Sequence, residues 1–222
     1  LICVKIRRMK VIPREVRRIT YSAKIRDLKK RLTLNPEQKS LIIGSLLGDG
    51  YLEPNWSKTN YRLKIQHSVD QKDYVLWKHS LLSNWVLTEP KEQLVNQSIR
   101  FRTISHPELT EYREMFYRGN KKIVPKDIAR YLDPLALAVW FMDDGNAKRY
   151  NGQQFAFHLN SQSFSRTANG VLAKALWNRY QLSVGLERNH EYTRLYIGKS
   201  SANRFAELVK RHVIPSMSYK LG

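Results

Sequence analysis

Ile42-Ile43-Gly44-Ser45-Leu46-Leu47-Gly48-Asp49-Gly50 and Leu137-Ala138-Val139-Trp140-Phe141-Met142-Asp143-Asp144-Gly145 are two apolar runs, each closed by an aspartate and a glycine. Both begin alike: Asn35-Pro36 and Asp133-Pro134 set a capping side chain before a proline at the first helical position. Two helices are predicted, the first ending at Gly48-Asp49-Gly50, where glycine weakens the helix and permits a left-handed exit. Beyond each run, residues 61–66 and 155–160 alternate with period two, the pattern of a strand with one dry and one polar face.

Reading outward, the first run is followed by a helical pattern over 72–85, an alternating piece at 98–102 and a helix from about 107 to 117. The second is followed by a helix over 167–180, strands near 183–187 and 193–197, and a helix near 202–212. The order repeats at a nearly constant offset, Asp49 matching Asp144 and Gln66 matching Asn160, while Trp85 matches Tyr180 and Phe101 matches Tyr196. The expected fold class is α+β, two tandem units of αββαββα topology. Three regions are expected: a basic arm over 1–35 with a helix at 25–31, a first unit over 36–130 and a second over 131–222. The connection at 121–130 is short and holds Pro125, so the units should pack together and not swing freely.

Across 222 residues, 39 Lys+Arg face 19 Asp+Glu, a formal charge of +20 that calls for a polyanionic partner. Hydrophobic residues make up 42% and aromatics 11%, enough for a sizeable core and unlike a disordered basic tail. Residues 1–40 carry half of the net charge, thirteen Lys/Arg against three acids. That segment reads as a nucleic-acid arm in preference to a transit peptide. The lone Cys3 excludes an internal disulfide framework and fits a reducing, intracellular compartment, organellar or bacterial. No run of about 18 apolar residues predicts a membrane span. The six histidines form no zinc pattern, and Gly198-Lys199-Ser200 lacks the first glycine of a phosphate loop.

An aspartate before glycine at a helix end is ordinarily a turn. Two of them, on helices apolar enough to pack against each other at the centre, are a different matter. Carboxylates at the negative ends of two facing helices repel one another, and a divalent cation would offset that. Mg²⁺ suits oxygen donors of this kind, and with a +20 chain the pair points to metal-dependent phosphodiester hydrolysis on DNA or RNA.

Both nine-residue runs, with Gln162-Ser163-Phe164 after the following strand, resemble the LAGLIDADG homing endonucleases in their single-chain, two-repeat form; the resemblance covers roughly residues 36–222. It implies two antiparallel sheets forming a saddle astride double-stranded DNA, with the motif helices at the centre. It also implies one aspartate from each half, Asp49 and Asp144, on Mg²⁺ or Mn²⁺ at the scissile phosphates. Asp143, one residue earlier and matched to Gly48, is expected to play a supporting role. Gln66 and Asn160 match the polar strand-end residues that line such sites, and Lys122 and Lys220 match the late lysine of each unit, Lys121 being the rival of Lys122. The resemblance further implies a monomer that cuts a long asymmetric site across the minor groove, leaves short 3′ overhangs and spreads the intron or insertion encoding it. No splicing domain is visible, which disfavours an intein. An RNA maturase on the same fold, with intron RNA as partner, and an inactive DNA-binding regulator are the alternatives.

Base and phosphate contacts are expected from the strand faces. In the first half the candidates are Arg62, Lys64, Arg100 and Arg102. In the second they are Lys148, Arg149, Gln153, Gln154, His158, Arg188 and Arg194. Gly44 and Gly48, four apart on the first helix, would let a partner helix approach closely, whereas Val139 and Asp143 stand at the equivalent places on the second.

Overall fold

A computed structural model of the chain describes residues 23–150 and 153–222, and for 150 and 153–155 the backbone alone. Residues 1–22 of the expected basic arm lie outside the described residues. The chain enters through α1 (Ala23–Arg31), which is docked on the first half and does not stand free: Ile25 is buried and Lys29 Nζ donates to Ser105 Oγ at 3.1 Å.

The first unit runs α2 (Pro36–Leu47), β1 (Tyr51–Pro54), β2 (Tyr61–Ser68), α3 (Lys72–Leu81), β3 (Lys91–Gln93), β4 (Ser98–Arg102) and α4 (Pro107–Phe116). A short hairpin, β5 (Tyr117–Arg118) and β6 (Lys121–Lys122), leads on. The second unit runs α5 (Pro134–Asp144), β7 (Gly145–Tyr150), β8 (Gln153–Leu159), α6 (Arg166–Tyr180), β9 (Val184–Asn189), β10 (Tyr192–Ile197) and α7 (Lys199–Val209). Both large sheets are antiparallel and have the same strand order, β1-β2-β4-β3 and β7-β8-β10-β9. The repeat is therefore structural as well as sequential.

Capping starts the two central helices where the sequence expects. Asn35 Oδ1 accepts the Gln38 N–H at 2.8 Å and Gln38 Oε1 accepts the Asn35 N–H at 3.2 Å, a complete capping box. Asp133 Oδ1 accepts the Ala136 N–H at 2.8 Å, while its other oxygen accepts the Ser40 hydroxyl, tying the start of α5 to α2. Leu41 to Leu47 and Ala136 to Met142 are buried without a break, as befits helices covered on all sides.

The close approach of α2 and α5 explains the glycines. A Cβ on Gly44 would lie 2.4 Å from the Ala136 carbonyl oxygen and 2.6 Å from Val139 Cβ; one on Gly48 would lie 2.4 Å from Asp143 Cβ. Val139 and Asp143 thus fill the spaces left by the two glycines, and the asymmetry between the helices is complementary. This corrects the expected left-handed exit: Gly48 has φ −100°, and its glycine is required by space and not by handedness.

Two other expectations shift. The helix over 72–85 ends at Leu81, and Ser83–Trp85 is a 3-10 turn. Phe101 corresponds to Leu195 and not to Tyr196, because Ile65 faces Phe101 where Leu159 faces Leu195; both of these residues are buried while Tyr196 lies on the outer face.

Gly44→Ala should lower stability by about 2–3 kcal/mol through overpacking. Adding Val139→Ala should restore only part of that, since it removes Cγ1 at 2.9 Å but leaves both the Val139 Cβ at 2.6 Å and the Ala136 main-chain oxygen in place. Denaturant unfolding of the three proteins checks this; full recovery in the double variant would show the contacts with the Ala136 oxygen and the residue-139 Cβ to be unimportant.

Candidate catalytic centre and nucleic-acid face

The site is assembled where α2 and α5 end. Asp49 follows α2 and leads into β1, and Asp144 is the last residue of α5. The register of β1 with β2 pairs Tyr51 with Lys64, so Gln66 comes level with Asp49; in the other half the Asn160 N–H donates to the Asp144 carbonyl at 2.9 Å. Gln66 Nε2 donates to Ser98 Oγ at 2.8 Å, and Asn160 Nδ2 to Asn146 Oδ1 at 2.9 Å. Asp49, Lys64, Gln66 and His67 share an open cleft of about 580 Å³.

The two lysines arrive by different routes and do the same thing. Lys122, from β6, donates through Nζ to the Gly48 carbonyl at 2.6 Å, and Lys220, from the 3-10 turn Pro215–Leu221, to the Asp143 carbonyl at 2.7 Å. Each holds the carbonyl just before its own half's aspartate, which places Lys122 at the site and leaves Lys121 exposed on the hairpin. Burial lowers the pKa of both lysines, against the pull of Asp143, Asp144 and Asp49. Burial and the neighbouring carboxylates push Asp144 up to about 7, and burial with Asp143 raises Asp49. The three carboxylates Asp49, Asp143 and Asp144 are matched in number by Lys78, Lys122 and Lys220, but the only direct lysine–carboxylate pair among them is Lys78 with Asp143.

Asp143 lies beneath, its side chain fully buried. Its Oδ1 accepts Lys78 Nζ and the Tyr74 hydroxyl, both at 2.7 Å, and its Oδ2 accepts the Asp49 N–H at 3.1 Å. Burial alone would raise its pKa; Lys78 and His67 bring it below the ordinary value. Burial and Lys78 push His67 down to about 4, so it is neutral at pH 7. Lysine only donates, so His67 Nε2, 3.4 Å from Lys78 Nζ, is the acceptor, and the Nδ1–H faces Asp49 Oδ2 at 3.5 Å. Asp49, His67 and Asp143 bring ligand atoms within 4.8 Å of one another, yet both oxygens of Asp143 are already engaged and Lys78 supplies the positive charge. A cation therefore fits the open side, where the unneutralised Asp49 and Asp144 present hard oxygen donors. Lys78, Tyr74 and His67 were not legible from sequence: a lysine four residues after a tyrosine on a mixed helix reads as a solvated face.

On the first sheet Arg62, Lys64, Arg100 and Arg102 alternate with the buried Leu63, Ile65, Ile99 and Phe101 and share the outer face. Glu53 joins them, 2.8 Å from Arg62 Nε and 3.0 Å from Arg102 Nε. On the second sheet Glu187 has the same role, 3.2 Å from Arg194 Nε and 3.8 Å from Lys148 Nζ. A bulge between Lys148 and Arg149 sets Lys148 against Ala156 and Arg149 against Gln154, with Gln153 against Tyr150. Two expectations fail here. His158 is only 3% exposed, with Nε2 against Glu187 Oε2 at 2.5 Å, so it braces that glutamate and does not reach out to bases. Arg188 faces Thr193 in the register, on the side of Leu186 and Leu195, and so lies on the opposite face from Arg194. Glu53 and Glu187 escaped the sequence reading because an acid on a basic face carries no periodic signal.

Comparison with known proteins shows the family and the fold. Residues 39–205 match the model of the LAGLIDADG DNA endonuclease family. The chain is 31% identical over 208 residues to the cytochrome b mRNA maturase bI2 of Saccharomyces cerevisiae, covering 85% of this chain and 48% of that protein. It is 30% identical to the probable intron-encoded endonuclease 1 of Wickerhamomyces canadensis, covering 89% of each. Among solved structures, the homing endonuclease I-WcaI bound to its DNA recognition sequence superposes with a TM-score of 0.83 at 26% identity, covering 91% of this chain and 93% of that one. The chain spans about half the length of the first curated relatives it matches. Among the described residues no helix is long and apolar enough to cross a membrane.

The raised pKa of Asp144 has a signed consequence for stability. What this group contributes is complete below its ordinary value of 3.8 and is lost as pH rises through about 7. Without divalent metal, Tm should fall between pH 5 and pH 8, and the fall should be shallower in Asp144→Asn. An equal fall in both proteins would place its origin elsewhere.

Proposed function

The chain belongs to the LAGLIDADG DNA endonuclease family, and on that premise we propose that it is a site-specific homing endonuclease that hydrolyses both strands of a long asymmetric DNA site. The observation that carries the reading is the pair Asp49 and Asp144 at the ends of two interlocked helices, each with a lysine on the preceding carbonyl, beneath a face of cations.

Asp49 and Asp144 would hold a divalent cation, Mg²⁺ or Mn²⁺, which when bound supplies charge neutralisation and a more acidic water. Lys122 and Lys220 each spend one donor on a carbonyl and keep two N–H groups to set against a phosphate whose charge is growing. The amides of Gln66 and Asn160, level with the two aspartates, orient solvent or a phosphate oxygen. Arg62, Lys64, Arg100, Arg102, Arg149 and Arg194 take the DNA backbone and base edges, and the backbone positions of Gln153 and Gln154 carry the second sheet's face further outward. Glu53 and Glu187 hold their arginines extended before DNA arrives. Two nonidentical halves in one chain imply a monomer and an asymmetric site, and short 3′ overhangs follow the family resemblance.

The basic segment continues that face on one side. Lys24, Arg26, Lys30 and Arg31 of α1 are exposed, and Ile25 and Lys29 border a cavity shared with Trp56, Arg62 and Arg102 at the outer end of the first sheet. A second reading, an RNA maturase on the same fold, is favoured by the similarity to the bI2 maturase.

Cleavage of a randomised duplex library with Mg²⁺, followed by sequencing of the ends, tests the main reading. Discrete ends lost in Asp49→Asn/Asp144→Asn are expected. Absence of cleavage by a folded chain that binds structured RNA tightly would overturn the reading in favour of the maturase. Replacing Lys24, Arg26, Lys30 and Arg31 with Ala should shorten the DNA footprint at one end only, by about 4 base pairs for a helix of about 13 Å, and flatten the salt dependence of binding. Symmetrical shortening would place α1 elsewhere.

A further inference from the structure

Lys78 is fully buried, and its Nζ lies 2.7 Å from Asp143 Oδ1 and 4.4 Å from the centre of the Tyr74 ring. A buried ion pair of this kind is poor evidence for stability, since hydrocarbon of similar volume serves as well. The second half shows that the fold has no need of it. At the 94-residue offset that relates β2 to β8 and Gln71 to Ser165 before α3 and α6, Lys78 corresponds to Leu172, Tyr74 to Ala168 and His67 to Ser161; Asp143 itself corresponds to Gly48. Ser161 there bonds to the Leu159 carbonyl and to Asn169.

The two motif helices also end differently. Asp144 is the last residue of α5, so its backbone is fixed by the helix turn below it. The other helix ends at Leu47, Gly48 departs at φ −100° and ψ −132°, and Asp49 falls outside the helical ladder. Its N–H is taken instead by Asp143 Oδ2, and Asp143 is in turn gripped through Oδ1 by Lys78 and Tyr74 from α3. The Gly48 N–H still donates to the Gly44 carbonyl at 3.0 Å and the Gly50 N–H to the Ser45 carbonyl at 2.7 Å, so it is at the Asp49 amide between them that a chain of side chains replaces the helical bond.

Resting on the endonuclease reading, we infer that Lys78 and Tyr74 are positioning residues that, through Asp143, hold Asp49 alone of the two catalytic carboxylates, so that loss of this grip slows cutting of one DNA strand selectively. A misplacement of about 1 Å at a reacting centre can cost on the order of a hundredfold in rate, whereas Asp144 keeps its helix turn.

The test is single-turnover cleavage of a cognate duplex with the two strands labelled differently, alongside affinity and Tm. Tyr74→Phe removes one hydrogen bond to Asp143 and should slow one strand about 3–10-fold, leaving the other within about 2-fold. Lys78→Met/Asp143→Asn, which removes the ion pair without leaving a buried charge, should slow the same strand by about 30–100-fold, so that product nicked in that strand accumulates. Equal slowing of both strands, or of neither, in Tyr74→Phe would overturn the inference, and Tyr74→Phe decides alone should the double variant not fold. Failure of the wild-type chain to cut either strand of a site it binds would instead count against the endonuclease reading.

Discussion

Everything about this molecule depends on how closely α2 and α5 approach. Gly44 and Gly48 leave no room for a β-carbon, and Val139 and Asp143 occupy the space. Contact at that distance locks the two halves in one relative position, because neither helix can slide without a main-chain clash. It also brings two aspartates to one place, each just past or at the end of an apolar helix, where isolated carboxylates would repel each other and the helix dipoles. The centre is therefore built around two carboxylates that no lysine pairs with directly. Burial raises Asp49 and Asp144, and the lysines are held close by carbonyls without ion-pairing directly to the acids.

The same interface explains the asymmetry beneath the site. Where the first helix has Gly48, the second has Asp143, a buried carboxylate that requires a cation and receives Lys78. Pseudo-symmetry is kept where it shapes the surface, in the strand order of the two sheets and in the paired lysines. It is broken where packing is tightest, since two identical side chains cannot both occupy the space on a two-fold axis. On the outer face, each half places one glutamate among its cations, at opposite ends of the register, Glu53 on β1 and Glu187 on β9.

Much of the fold was legible in residue order because it is governed by local periodicity. The capped prolines start both central helices, period-two alternation marks β2, β4, β8 and β10, and the constant offset reveals the repeat. The aspartates were legible because they recur at the same place after similar helices, and the lysines because their distances from those aspartates nearly agree. Three readings failed for non-local reasons. The glycine before Asp49 looked like a turn residue and is a contact residue, which only the partner helix reveals. Polar side chains on a strand looked outward-facing, yet His158 is covered by its cross-strand neighbours and Arg188 follows the other face of β9. The match of Phe101 slipped by one residue because insertions between strands are invisible to an offset taken from helices.

The sequence by itself determined the repeat, the helix starts, the alternation of the inner strands and the place of one aspartate at the end of each motif helix, since each is set by residues near in the chain. Only the tertiary structure decided which lysine meets which carbonyl, which acid is spent internally on Lys78, and that Asp49 is held by a side chain where Asp144 is held by a helix turn. Those choices join residues 65 to 94 positions apart, and over that distance it is packing and charge balance, not periodicity, that select the partner.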